Sequence, residues 1–340
     1  MTQRSTPFVA GLAVALFSAA TFGSSGTFGA SLMQAGWTPG AIVTARITGA
    51  ALLMLVPALV ALRGRWGLLR RNLPKVAAYG VVAVAGCQLA YFNAVDHLSV
   101  GVALLLEYLA PVLIVGWMWL RHGRRPSRLT VVGVAAAVLG LVLVLDVFSG
   151  ARVDLVGVMW GLLAAVGLVV FFLLSSDEED ALPPMTYAGA GLVIGALSLG
   201  AAALVGVLPL AAPTGRVDLA GWSAPWGVAI VELAVVAGAV AYVSGIAAAR
   251  MLGATIASFV GLSEVLFAIV FAWVLVGQAM APIQVLGGLA ILAGVAAVKL
   301  GEGEPPAPAS EAGATDVAVS EADEKAQDHP AGFGPSAQVH

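Results

Sequence analysis

The sequence predicts an all-α integral membrane protein whose ten transmembrane helices form two inverted five-helix repeats. Three observations carry that prediction. Of 340 residues, 60% are hydrophobic and only 10% charged, and the mean hydropathy is +0.98, whereas a hydrated globular surface needs roughly 25% charged residues. Ten apolar stretches follow one another, each long enough to cross a hydrocarbon core of about 30 Å as a helix. None shows the period-two alternation of a barrel strand. The two halves of the chain also repeat short motifs in the same order.

The stretches run at about 8–30, 39–62, 75–95, 98–120, 128–147, 155–175, 184–208, 226–248, 254–277 and 282–300. The first follows Arg4 in the manner of a secretory signal, but the nine spans behind it make it an anchor. Pro39, Pro126, Pro184, Pro225 and Pro282 stand at or near span starts, where a missing N–H costs least. The second span carries Arg46 among Thr44, Thr48 and Gly49, the third Cys87, Gln88 and Tyr91, and the fourth Glu107 with Pro111 one turn further on. Gly157/Gly161 in the sixth span and Gly191/Gly195 in the seventh have the small-xxx-small spacing of packed membrane helices. In the first span Ser18, Thr21 and Ser25 form a polar stripe read as packing. The eighth span holds Glu232 and Tyr242, and the ninth holds Ser258, Gly261 and Glu264 at threes along one face. Trp37 and Trp226 are expected as interfacial anchors. Cys87, the single cysteine, rules out an intrachain disulfide and reads as a small apolar packing residue.

Lys and Arg set the orientation. The N-terminus, the even-numbered connections and the tail hold 13 of them, against Arg152 and Arg216 alone on the odd-numbered connections. Both termini are therefore expected in the cytoplasm. Asp177-Glu178-Glu179-Asp180 then forms a solvated cytoplasmic turn. Residues 301–340 hold eight of the 19 acidic residues and one base and lack apolar periodicity, which reads as a disordered acidic tail. The preference for Arg over Lys, 13 to three, fits a GC-rich bacterial genome.

The repeats are residues 8–147 and 155–300. Pro39 corresponds to Pro184, Ala90-Tyr91 to Ala241-Tyr242, Leu109–Leu113 to Leu262–Leu266, and Gly133 with Gly140 to Gly287 with Gly294. Five spans per repeat make the second enter the membrane from the opposite side, an arrangement that usually supports alternating access around a midplane site.

Ionisable residues inside spans are costly, near +3 kcal/mol at the bilayer centre, and normally face the bundle interior or a wet cavity. Glu107 and Glu264 lie near the midplane on repeat-related helices and are the first candidates for a substrate or coupling-ion site. For each, a protonated carboxyl bonded to a neighbouring helix is the competing structural reading. Arg46 reads as a partner for an anion or carboxylate, or as a counter-ion to one glutamate; Glu232 reads as interfacial. Gln88, Tyr91 and Tyr242 suit a metabolite cavity or act as interhelical glue.

Around these residues the chain resembles the EamA family of the drug/metabolite transporter superfamily. The likeness rests on 103–113 (ALLLEYLAPVL), 264–273 (EVLFAIVFAW) and 277–288 (GQAMAPIQVLGG) and extends over about residues 8–300. It implies a ten-helix inner-membrane carrier, with export of amino acids or other small metabolites as a common activity. Gln278 departs from the pattern, in which a glutamate is common. Partners are thus expected to be a small-molecule substrate, the bilayer and protons, with no nucleic acid. No cofactor, metal or catalytic residue is expected: all four histidines lie in connections or the tail, and the chain has no His-Glu-x-x-His. An enzyme is disfavoured on this ground, and a passive channel or facilitator remains the alternative.

Overall fold

A helix in hydrocarbon satisfies its own backbone and leaves only side chains to choose between lipid and neighbours. The computed structural model describes residues 5–110, 112–113, 127–145, 154–175 and 182–302 and is almost entirely helical there. In the first half α1 is Ser5–Gln34, α2 Pro39–Leu62 and α3 Trp66–Ala78. A π-helical segment, π1 (Tyr79–Gly86), leads into α4 (Cys87–His97), followed by α5 (Val100–Glu107) and α6 (Arg128–Val144). The second half has α7 (Leu155–Ser175), α8 (Pro184–Leu204), a hairpin of β1 (Arg216–Leu219) and β2 (Trp222–Pro225), and α9 (Trp226–Val231). A second π-helical segment, π2 (Glu232–Val240), then leads into α10 (Ala241–Gly261), α11 (Ser263–Val276) and α12 (Pro282–Glu302).

Among the described residues, six helical stretches are long and apolar enough to cross a membrane: Phe8–Gln34, Pro39–Leu62, Trp66–His97, Pro184–Leu204, Trp226–Ala248 and Pro282–Gly301. Arg128–Val144, Leu155–Phe171 and Ser263–Val276 are shorter apolar helices. On α2, Leu52, Val56 and Val60 stand 67–68% exposed, an outward stripe at helical spacing, while Arg46, Ala50, Met54 and Ala58 are buried on the opposite face. The far half of the fourth span, Pro111, the acidic run 177–180, Arg121, Arg124, Arg125, Arg152 and the tail lie outside the described residues, as do the side chains of Arg250 and Ser258.

Four interhelical contacts position everything else. α1 lies along α10 and α11: a Cβ on Gly11 would meet Leu252, and one on Gly23 would meet the Glu264 carbonyl at 2.9 Å. α7 lies along α4 and α5, with Gly157 on Leu98, Gly161 on Leu106 and Gly167 on Cys87. α2 packs on α8, where Thr186 Oγ1 donates to the Ala58 carbonyl at 3.0 Å. α6 crosses α12 with bare backbone: a Cβ on Gly133 would stand 2.6 Å from Gly294 O, and one on Gly140 2.5 Å from Gly287 O.

Several expectations are corrected. Residues 66–75, expected to connect two spans, are helical, because Asn72 and Val76 pack inward one turn apart while Arg70, Arg71 and Lys75 stay exposed. The boundary expected between the eighth and ninth spans falls inside α10. The connection after α8 folds as a hairpin, with Ala220 (φ 53°) and Gly221 (φ 78°) making the two-residue turn that such hairpins require. Trp37 is no lipid-facing anchor: it is buried, stacks on Trp226 at 5.3 Å and donates from Nε1 to Pro213 O at 3.0 Å. The hairpin also docks on α11, where Ala220 N donates to Leu275 O at 2.6 Å.

Candidate functional site

The polar centre grows from α2. Arg46 is fully buried, and its guanidinium donates from Nη1 to Gln88 Oε1 (2.5 Å) and from Nη2 to the Ala237 carbonyl (2.7 Å). The Phe92 ring lies 5.7 Å from its central carbon, near enough for a cation–π contact. Among the described residues its Nε has no hydrogen-bond partner. Among the described residues Arg46 forms no ion pair within 4 Å, and its charge interacts with those of Glu107, Glu232 and Glu264.

Ala237 belongs to π2. A π-turn spans five residues and displaces its carbonyls from the α-helical ladder, which is why such segments recur at functional sites. Each π segment carries near its C-terminal end a glycine whose Cβ would press on the carbonyl five residues back: Gly86, the last residue of π1, on Val81 O at 3.1 Å, and Gly238, two residues before the end of π2, on Leu233 O at 2.8 Å.

Glu107 is the last residue of α5. The two residues after it, Tyr108 and Leu109, form a turn. The Glu107 side chain is buried, with Oε1 3.3 Å from Cys87 Sγ. Cys87 is therefore more than a packing residue: its thiol is shared between Glu107 and the Ala164 carbonyl at 3.4 Å. Glu264, in the first turn of α11, accepts from Tyr108 Oη at 2.9 Å, and the same hydroxyl lies 3.1 Å from Gly261 O. Tyr108 thus joins the segments carrying the two candidate carboxylates, and the two carboxylates also interact electrostatically.

Tyr91 and Tyr242 flank this centre. Tyr91 meets Phe92 edge-on at 5.3 Å, and its hydroxyl occupies the space a side chain at Gly26 would need. Tyr242 packs edge-on against Phe22 at 5.1 Å. The structure draws all six sequence candidates toward one region: Arg46 and Gln88 in direct contact, Glu107 against Cys87, Glu264 against Tyr108, and Tyr91 and Tyr242 nearby.

Sequence reasoning missed the other side of the centre. Glu232, read as interfacial, is half-buried and takes a 2.5 Å hydrogen bond from Ser24 Oγ, while its Oε2 is enclosed without a partner. Ser24 lies on α1, one place before the Ser25 of the expected stripe. At the end of the bundle that holds the hairpin, Gln278 Oε1 accepts from Val100 N at 3.1 Å and so caps α5 from across the fold.

Apolar helices long enough to span a bilayer, enclosing a guanidinium and three carboxyl groups, define a multi-pass membrane protein with a polar intramembrane centre. The chain belongs to the EamA-like transporter family, whose pattern matches residues 9–146 and 155–300. One solved structure, described only as a crystal structure of a protein, shares the fold: TM-score 0.54 at 22% identity, covering 88% of this chain and 98% of that one. No curated protein matches.

Proposed function

We propose that the protein is an alternating-access carrier that exports small metabolites, amino acids among them, in exchange for protons, from a cell membrane in which both termini face the cytoplasm. Its working parts are two inverted five-span repeats, 8–147 and 155–300. Reciprocal contacts support that architecture. If Gly133 corresponds to Gly287 and Gly140 to Gly294, then Gly133 on Gly294 and Gly140 on Gly287 are one contact made twice about a twofold axis. Gly11 on Leu252 and Gly157 on Leu98 pair in the same way, and π1 and π2 occupy matching places.

The observation that carries the functional reading is Arg46, a fully buried cation with, among the described residues, an unpartnered Nε and no ion pair, whose charge interacts with those of Glu107, Glu232 and Glu264. Arginine keeps its charge in proteins, and such a charge inside a membrane marks a substrate or ion path. Glu107 and Glu264, on repeat-related helices, are the proton carriers: each costs several kcal/mol less at this depth when protonated.

Efflux from vesicles with and without an imposed pH gradient tests the proposal. Glu107→Gln should abolish gradient-driven efflux while the protein stays folded, and Glu264→Gln should have a similar effect. A Glu107→Gln protein that still pumps uphill would end the proton-exchange reading, and wild-type flux indifferent to the gradient would make the protein a facilitator.

A further inference from the structure

Two enclosed polar atoms of opposite character stand without hydrogen-bond partners among the described residues where α1, α2 and π2 meet: Arg46 Nε and Glu232 Oε2. The hydrogen bonds of each group are to neutral partners. Arg46 is held by the Gln88 amide and the Ala237 carbonyl, and Glu232 by the Ser24 hydroxyl. Ala237 and Glu232 belong to the same π segment, five residues apart, so both groups border one stretch of the bundle. Counting residues inward, Arg46 follows Pro39 by seven and Glu232 follows Trp226 by six, so both lie about 10 Å from the same end. Glu107 and Glu264 are differently engaged, with Cys87 and Tyr108 respectively.

We infer that Arg46 and Glu232 are the two poles of a binding site for a dipolar solute, its anionic group on the guanidinium and its cationic group on the carboxylate. A simple anion would satisfy Arg46 but leave Glu232 charged and enclosed beside it; a simple cation would do the reverse. A solute carrying both charges meets both requirements at once, and a buried charge left alone is the costly outcome. Gln88 and the Phe92 ring fix the guanidinium plane, and Ser24 fixes one carboxylate oxygen, so each pole is preorganised. Glu232 is on this reading a specificity determinant: it sets which solutes bind.

The inference depends on the carrier reading for its setting, but binding alone tests it, so each can fail without the other. The full chain in lipid nanodiscs is screened against the standard amino acids, and the tightest binder is compared with its deaminated acid and its decarboxylated amine; for leucine these are 4-methylpentanoate and 3-methylbutylamine. The wild type should bind the zwitterion at least about tenfold more tightly than either analogue. Glu232→Gln should erase the preference over the deaminated acid, whereas Tyr79→Phe, in the other π segment, should retain it. If Glu232→Gln does not fold, Glu232→Asp must weaken the zwitterion and leave the acid unchanged. Equal binding of zwitterion and deaminated acid by the wild type, equal weakening of both by the Glu232 variants, or no binding by any amino acid would overturn the inference. Intact selectivity without flux in proteoliposomes would instead count against the carrier.

Discussion

The two π segments have the same backbone form and different surroundings. Beside π2 stand Arg46, Glu232 and Ser24; beside π1, Tyr79 packs at 4.6 Å from Tyr187 and 5.9 Å from Phe171. The matches between the halves place Gly191 opposite Arg46, and a side chain at Gly191 would run into the Tyr79 ring. One repeat has thus filled its widened turn with aromatic surface, and the other has lined it with charge. The backbone device alone therefore specifies no chemistry; the side chains brought to it decide whether it is core or site.

The largest expected difference separates Arg46 from Tyr79. Arg46→Met should reduce flux by at least about a hundredfold, since it removes the cation that three carboxyl groups share. Tyr79→Phe should leave flux unchanged and hold or raise thermal stability, because it deletes a buried hydroxyl with no hydrogen-bond partner, a group that costs about 1–3 kcal/mol when unsatisfied. Loss of transport in Tyr79→Phe would show that π1 is a second site. The paired glycines give the next contrast. Gly238→Ala, with only 2.8 Å to Leu233 O, should cost about 1–3 kcal/mol, and Gly86→Ala, with 3.1 Å to Val81 O, should cost less; melting in detergent ranks them. Away from both segments, Gln278→Ala should lose about 1 kcal/mol through the uncapped start of α5, and Gln278→Glu should restore it.

The smallest effect is a pH dependence at the hairpin end. Asp154 accepts from Gly157 N at 3.0 Å, from Val156 N at 3.0 Å and lies 3.0 Å from His97 Nδ1. These contacts, the Gly157 amide first, hold its carboxyl below the usual aspartate value. A depressed carboxyl contributes stability that is complete above its unfolded value, about 3.9, and is lost as the pH falls through the lower folded one. Asp154→Asn should therefore lower stability slightly on the neutral side, leave the acid end nearly unchanged and so flatten the acid limb of the melting profile. A steepened acid limb in that variant would exclude the assignment.

The charged side of this comparison was partly legible in the sequence. Arg46, Glu107 and Glu264 stood out because charge at membrane depth is rare and must face inward. Gln88 was found through its face, shared with Tyr91. Cys87, Tyr108 and Ser24 were not, since a thiol, a phenol and a hydroxyl are cheap enough in a bundle to carry no signal until their partners are known. The sequence reading of Glu232 as interfacial rested on its depth along its own span and did not include Ser24, which reaches it from α1, 208 residues away in sequence. The hairpin did leave a trace, in the alternation of Val217 and Leu219 before Ala220-Gly221, but four-residue strands between long apolar runs are easily read as connection.

The glycines at the α6–α12 crossing also bear on the molecule's history. At Gly133, Gly140, Gly287 and Gly294 the first added carbon would meet an opposing carbonyl oxygen at 2.5–2.7 Å. Every codon change that alters glycine yields a larger residue, so mutation offers these four positions no neighbour that fits. Nor does compensation come easily, because the obstacle on the far side is main chain, which no substitution can shrink. Lineages descending from this chain should diverge freely along the lipid-facing stripe of α2 and stand still at this crossing.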